Sequence, residues 1–174
     1  MPMKYTHIFD GGLLLHSVLS KTNIGASYAS IARMLLSVVC TGKGSEVHVC
    51  FDKYLENSIK GSESELHGAV NTVYKISGPE QTIRQSGEKL IKNGSFKDEL
   101  ARFLLKEWGK DHYCNYLVGK TLYASYGGKS YQYITDEFQK MDVSKPRHLQ
   151  GNHEEADTLI AFHVANTDER DVIV

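Results

Sequence analysis

The sequence lacks a large excess of charge of either sign, because its formal net charge is −1 at pH 7. No global basic field attracts nucleic acid, so any such binding must use a local patch. Cysteine is also scarce: Cys40, Cys50 and Cys114 are an odd number without metal-site spacing. We therefore predict free thiols in a reducing compartment, which places the protein inside the cell, in the nucleus or the cytoplasm.

Long hydrophobic runs are missing as well. The opening stretch "MPMKYTHIFD" lacks the apolar core of a signal peptide, and no apolar stretch approaches the ~20 residues of a membrane span. Hydrophobic residues make up 41% of the chain and charged residues 24%, which is typical of a globular protein. We expect a single domain over residues 1–174, without a membrane as partner.

Several catalytic signatures are absent too. The chain has no G-x-x-x-x-G-K-[ST] phosphate loop and no G-x-S-x-G, and Gly11-Gly12 lacks the rest of a dinucleotide fingerprint. The stretch "HEEAD" at 153–157 is not a zinc-binding H-E-x-x-H, because Asp157 stands where the second histidine should be, and no cysteine pair completes a site. We interpret His163, on an apolar face, as a hydrogen-bonded core histidine.

Strand-like and helix-like runs alternate at the start of the chain. "KYTHIF" (4–9) predicts a strand that stops at Asp10, and "EVHVCF" (46–51) predicts a second strand that stops at Asp52. Between them, "LLLHSVL" and "ASYASIARMLLSVVC" (26–40) predict helices. A strand–helix–strand series predicts a βαβ unit with parallel strands and a right-handed crossover.

The pattern is weaker between residues 54 and 150. The polar run 54–70 is compatible with a helix that ends in an exposed loop, and "NTVYKI" (71–76) is compatible with a strand. Residues 96–110 predict the strongest helix, whose apolar stripe includes Leu100, Leu104 and Trp108. "TLYASYGGKSYQYI" (121–134) indicates a hairpin around Gly127-Gly128, or two strands that are not paired with each other. The windows 153–166 and 171–174 predict the last helix and strand.

Carboxylates follow both early strands and crowd the start of the last helix. Asp10 and Asp52 end the two strands, and ligands of open α/β sheets bind beyond the carboxyl ends of the strands. Glu154, Glu155 and Asp157 repel one another, and a divalent cation would relieve that repulsion.

Each acid also has a structural alternative. Asp10 can belong to a simple Asp-Gly turn, and Asp52 can be a solvated loop acid or the partner of Lys53. For the acidic window, Asn152 as N-cap and Glu155 as the third helical residue would form a capping-box-like N-x-x-E arrangement. Acids in a first helical turn also complement the helix dipole.

Three motifs, "HIFDGG", "VHVCFDKY" and "EEADTLIAFH", occur in an order and context that resemble the PIN-like and flap-endonuclease-like nuclease superfamily. They are similar in particular to animal PIN-like proteins with an H-E-E-A-D-T motif, some of which are linked to mobile elements. The resemblance implies an α/β fold, namely a mainly parallel sheet with helices on both faces. It also implies a hydrolase, a metal-dependent nuclease that cleaves phosphodiester bonds of DNA or RNA by a two-metal-ion mechanism.

The resemblance extends to single residues. It implies catalytic carboxylates that bind Mg²⁺ or Mn²⁺, namely Asp10, Asp52, Glu155 and Asp157. Glu154 would be an additional, outer acid of the metal site. Residues near the second strand and beyond it would contact nucleic acid, namely Lys53, Tyr54, Lys60 and Arg84. The alternative for these basic residues is ordinary solvation.

One departure from the family concerns the end of the chain. The family places a further aspartate, often in a D-x-D pattern, just after the strand that follows the E-A-D helix. Here the sequence stops within "DVIV", and Asp168 and Asp171 precede that strand. We therefore expect an N-terminal portion of a longer domain, with an incomplete second metal site. The alternatives are a catalytically inactive PIN-like module that binds nucleic acid or protein, and an unrelated α/β domain whose acids serve as caps and turns.

Overall fold

The computed structural model describes residues 5–53, 73–153, 155–167 and 172–174. In this part of the chain one sheet contains six strands in the order β5-β4-β3-β2-β1-β6. They are β1 (Thr6–Asp10), β2 (Glu46–Cys50), β3 (Thr121–Tyr126), β4 (Lys129–Thr135), β5 (Met141–Ser144) and β6 (Val172–Ile173). The β6-β1, β1-β2 and β2-β3 pairs are parallel, whereas β3-β4 and β4-β5 are antiparallel. The α/β class is thus confirmed, and the sheet is mixed.

The described residues form five α-helices, and several of them begin at a residue whose side chain caps the helix. They are α1 (Gly11–Leu19), α2 (Tyr28–Cys40), α3 (Gly87–Leu90), α4 (Gly94–Glu107) and α5 (Ala156–Asn166), with 3-10 helices at Asp111–Leu117 and Arg147–Leu149. Ser27 accepts a hydrogen bond from the Ser30 amide at the start of α2, and Asn93 accepts one from the Phe96 amide at the start of α4. Both are N-cap bonds of the kind that serine and asparagine favour.

Helices cover both faces of the sheet. Val47 and Val49 of β2 pack in the large core that also contains buried side chains of α1, α2 and α4. Cys50 of β2 packs instead with Ile8 of β1 and Leu159 of α5. Because successive residues of a strand point to opposite faces, α5 lies on one face and α1, α2 and α4 lie on the other.

The β3-β4 hairpin turns at Gly127 and Gly128, whose φ angles are 58° and 77°. Both angles are positive, as in the turns that best match the twist of a two-residue hairpin. Of the two interpretations of 121–134, the hairpin is confirmed. A Cβ at Gly128 would lie 2.5 Å from the carbonyl oxygen of Gly151, so the turn packs directly against the segment that precedes α5.

Other expectations need correction. Residues 73–76 form no strand, because none of the described strands pairs with them. Tyr74 and Ile76 pack against the core, and Val73 is 84% exposed. Helix α5 starts at Ala156 rather than at 153. The interpretation of 54–70 falls outside the described residues.

Two predictions about the chain as a whole can be compared with the structure. The cysteines are free thiols, as predicted. None of the helices in the described ranges is long and apolar enough to cross a membrane.

Candidate functional site

The ends of β1 and β2 lie side by side at one edge of the sheet. Asp10 stands opposite Cys50 in the parallel register, and Asp52 follows two residues later. Asp10 is the N-cap of α1, and its Oδ1 accepts a hydrogen bond from the Leu13 amide at 3.0 Å. The Asp10 carboxylate therefore caps the N-terminus of α1. Neither the metal-site hypothesis nor the alternative of a simple Asp-Gly turn predicted this cap.

Gly11 allows this close arrangement. A Cβ at Gly11 would lie 2.4 Å from the Phe51 ring and 2.8 Å from the carbonyl oxygen of Cys50. Real Cβ atoms do not approach other atoms so closely, so a side chain at this position would displace either α1 or the end of β2. The contact brings the first turn of α1 against the chain that leads to Asp52.

Asp52 connects the same edge to α5. Its Oδ1 accepts a hydrogen bond from the Ala156 amide at 2.5 Å. Glu155 occupies the N-cap position of α5 but makes no side-chain cap bond. The carboxylate that caps α5 thus comes from a residue distant in sequence, and its negative charge is favourable at a helix N-terminus.

This cap corrects the capping-box interpretation of the acidic window. Because α5 begins at Ala156, Asn152 is not its N-cap and Glu155 is not its third residue. Glu155 and Asp157 are both exposed, at the helix end that Asp52 caps.

The structure brings together the elements that carry the predicted acids. Asp10 and Asp52 leave adjacent strands, and Asp52 contacts the first turn of the helix that bears Asp157. Within the described ranges, however, no group of three or more His, Cys, Asp or Glu side chains is arranged to hold a metal ion. Three predicted site residues fall outside those ranges, namely Tyr54, Lys60 and Glu154.

The donor chemistry of Asp10 and Asp52 fits a hard divalent cation. Carboxylate oxygens are ligands that Mg²⁺ and Mn²⁺ prefer. An ionised carboxylate has two oxygens with about four lone-pair sites, and the Leu13 and Ala156 amides each bond to one oxygen. Helix capping and cation binding are therefore compatible at both aspartates.

A basic groove borders these acids and was not foreseen from the sequence. It is a cavity of about 670 Å³. Its lining combines four cationic side chains with two tyrosines, namely Lys53, Arg102, Lys106, Lys129, Tyr126 and Tyr131. Among the residues predicted to contact nucleic acid, Lys53 belongs to this groove, whereas Arg84 is exposed outside it.

A buried polar chain holds α5 on its face of the sheet. The Nδ1 atoms of His48 in β2 and His163 in α5 are 2.6 Å apart, and the His163 Nε2 is 2.9 Å from the Ser125 Oγ. The chain continues from Ser125 to Ser130, whose hydroxyl donates to the Leu149 carbonyl. Both histidines are at most 2% exposed. The interpretation of His163 as a hydrogen-bonded core histidine is confirmed.

Burial is the main reason that the pKa of His163 falls from 6.5 to about 3, and the nearby His48 and His148 lower it further. His163 is therefore neutral at neutral pH and can bond to both neighbours. Its hydrogen bonds fix α5 relative to β2 and β3, and thereby the N-terminus of α5 relative to Asp52.

Comparison of this chain with protein-family models, with curated proteins and with solved structures finds no match.

Proposed function

We propose that this chain is part of an intracellular, divalent-metal-dependent nuclease that hydrolyses phosphodiester bonds of DNA or RNA. One observation carries the proposal: the Asp52 carboxylate, beside the end of the Asp10 strand, bonds to the first turn of the helix that contains the E-A-D motif. The three motifs behind the family resemblance are far apart in sequence, and this contact joins the elements that carry them. The proximity of these elements supports the proposal that their acidic residues act together in one metal site.

The proposed roles follow from position and exposure. Asp10 and Asp52 are half-buried at strand ends and each is held by a helix amide, so they are suited to be the fixed ligands of Mg²⁺ or Mn²⁺. Glu155 and Asp157 are exposed and suited to complete the ligand set, with Glu154 as an outer acid. When bound, the cation would neutralise charge on the phosphodiester and activate the attacking water.

The second candidate function is a catalytically inactive module that binds nucleic acid or protein. It is favoured by the bonds that Asp10 and Asp52 already make as helix caps. It is also favoured because the described residues include no ready group of three ligands. In this alternative the acids stabilise α1 and α5, and function resides in the basic groove.

Metal-dependent stabilisation tests the first proposal. A cation that binds the folded state alone stabilises it by RT ln(1 + [L]/Kd). We expect millimolar Mn²⁺, and to a lesser degree Mg²⁺, to raise the melting temperature of the wild-type chain. Asp10→Asn should remove most of this response and keep the fold, because asparagine is an equally good N-cap for the Leu13 amide. Glu137→Gln, a neutralised acid on the exposed β4-β5 turn, is the matched control and should respond like wild type.

Cleavage of a labelled oligonucleotide in Mn²⁺ separates the two candidates. Cleavage that Asp10→Asn abolishes supports the nuclease. A melting response to Mn²⁺ without cleavage supports the inactive module, and the absence of any response to either cation refutes the metal proposal. Glu155→Gln is informative in the same assays, since Glu155 makes no cap bond whose loss would complicate the result.

A further inference from the structure

The basic groove opens at the same edge of the sheet as the acids. Lys53 directly follows Asp52, and Tyr126 is the last residue of β3, the parallel neighbour of β2. The Lys53 Cδ lies 3.7 Å from the position of a Cβ on Gly127, so the lysine stem packs along the hairpin turn. The next residue of that turn, Gly128, accepts a hydrogen bond from the Gly151 amide, which leads to α5. The groove therefore adjoins Asp52 and the segment before α5.

The groove brings together positively charged side chains from separate segments of the sequence. Its four cations come from the end of β2, from α4 and from the start of β4. Arg102 and Lys106 are one helical turn apart on α4, where like charges repel by about 0.2–0.5 kcal/mol. Among the residues that the structure describes, no acidic side chain lines this cavity. Asp98, in the preceding turn of α4, interacts with Tyr126, as Arg102 does, and its negative charge offsets part of the positive charge. A polyanionic ligand would relieve the remaining repulsion.

The groove also has an aromatic and apolar surface. The Arg102 guanidinium lies 5.7 Å from the centre of the Tyr126 ring, and the Lys145 ammonium lies 5.3 Å from that of Tyr131. Leu105 and Val143 add apolar contact area. Cations beside aromatic rings are the combination that binds single-stranded nucleic acid, because the cations attract the phosphates and the rings contact the bases. An inorganic phosphate ion would gain no binding energy from the apolar side chains of the groove.

We propose that this groove binds a single-stranded segment of DNA or RNA and leads it towards Asp52. The phosphates lie against Lys53, Lys106 and Lys129, and a base contacts Tyr131. The volume of about 670 Å³ is that of a cavity for an organic ligand rather than for an ion. The inference rests on the proposed function, since it assigns the groove to the substrate of the same site.

Fluorescence anisotropy with a labelled single-stranded oligonucleotide of about 12 nucleotides tests the groove. EDTA is present throughout, so that binding is measured without catalysis. The variant Lys106→Glu/Lys129→Glu reverses two exposed charges of the groove. We expect its affinity to fall at least about tenfold, and the slope of log K against log salt to decrease by roughly 1.4, or about 0.7 for each lost phosphate contact.

The control is Lys89→Glu/Lys92→Glu, which makes the same charge change at two exposed lysines outside the groove. It should bind within about twofold of wild type. An equal loss of affinity in the two double variants would mean that net charge, and not the groove, governs binding, and would overturn the proposal.

Competitors distinguish the ligand classes. Unlabelled single strand should displace the probe, whereas tripolyphosphate or a poly-glutamate peptide at equal charge should not. Displacement by tripolyphosphate would mean a general anion site, and displacement by the peptide would mean a protein-binding surface. Either result overturns the assignment to nucleic acid.

Failure of the groove and failure of the nuclease are separable. Groove-dependent binding in EDTA without cleavage in Mn²⁺ supports this inference and contradicts the nuclease proposal. Cleavage without any effect of Lys106→Glu/Lys129→Glu on binding contradicts the inference alone.

Discussion

Acidification below pH 6.5 should destabilise the protein through His163. This side chain is fully buried between His48 and Ser125. Burial, with a smaller contribution from the two nearby histidines, lowers its pKa to about 3. In the unfolded chain a histidine has a pKa of about 6.5. Between these two values the unfolded state binds a proton that the folded state rejects, so stability falls as the pH falls.

The magnitude follows from this difference. Each pH unit well inside the window removes up to about 1.4 kcal/mol from the free energy of unfolding. Allowing for partial protonation near pH 6.5, the loss from pH 7 to pH 5 is about 2 kcal/mol. Glu46, whose Oε2 lies 3.7 Å from the His48 Nε2, has a pKa lowered chiefly by its interaction with His48. Its own contribution is lost only as the pH falls below about 4.5, so measurements should stop at pH 5.

The assay is denaturant unfolding at pH 7, 6 and 5. Wild type should lose about 2 kcal/mol over this range, whereas His163→Gln, which cannot titrate, should be less stable at pH 7 but should vary much less with pH. His16→Gln, a change at an exposed histidine of α1, is the control and should keep the wild-type slope. A wild-type stability that is flat from pH 7 to pH 5, or an unchanged slope in His163→Gln, would refute the reasoning.

Two further predictions concern contacts around the site. Asp52→Ala removes the acceptor of the Ala156 amide and should reduce the free energy of unfolding by about 1 kcal/mol. Asp52→Asn retains an acceptor oxygen and should reduce this free energy by less. Equal losses in the two variants would argue against a capping role for Asp52. Gly128→Ala should lower the free energy of unfolding clearly more than Gly119→Ala in the same measurement. Both glycines have a positive φ, but a Cβ at Gly128 would lie 2.5 Å from the Gly151 oxygen, whereas a Cβ at Gly119 would have no atom within 4 Å. Equal losses there would indicate that backbone strain alone matters.

Local patterns in the sequence predicted β1, β2, α2 and the hairpin well. Strand β2 alternates polar and apolar side chains over Glu46-Val47-His48-Val49, and Gly127-Gly128 fixes the turn chemistry without help from the rest of the chain. The start of α5 was missed because Asp52, remote in sequence, supplies its cap. Strand β5 was missed because "MDVS" is short and mostly exposed at the sheet edge, with little apolar pattern to detect.

Site residues divide in the same way. The positions of Asp10 and Asp52 at the ends of two neighbouring strands were predictable, because the β-forming runs before them reveal where each strand ends. Their service as helix caps was not identifiable, since it depends on which helix starts beside them. The basic groove escaped notice because residues 102, 106 and 129 are ordinary surface cations in sequence and meet Lys53 only when α4 packs beside the β3-β4 hairpin.

Gly11 has a consequence for recognising other chains with this arrangement. The distance of 2.4 Å between a Cβ placed at this position and the Phe51 ring leaves room for hydrogen alone. In a chain that keeps this backbone and the phenylalanine at position 51, a larger residue beside the first aspartate would separate the first strand end from its neighbour. The aspartate would then cap its helix at a greater distance from the second acid, so for chains with this arrangement the Asp-Gly pair together with the phenylalanine is the pattern to search for.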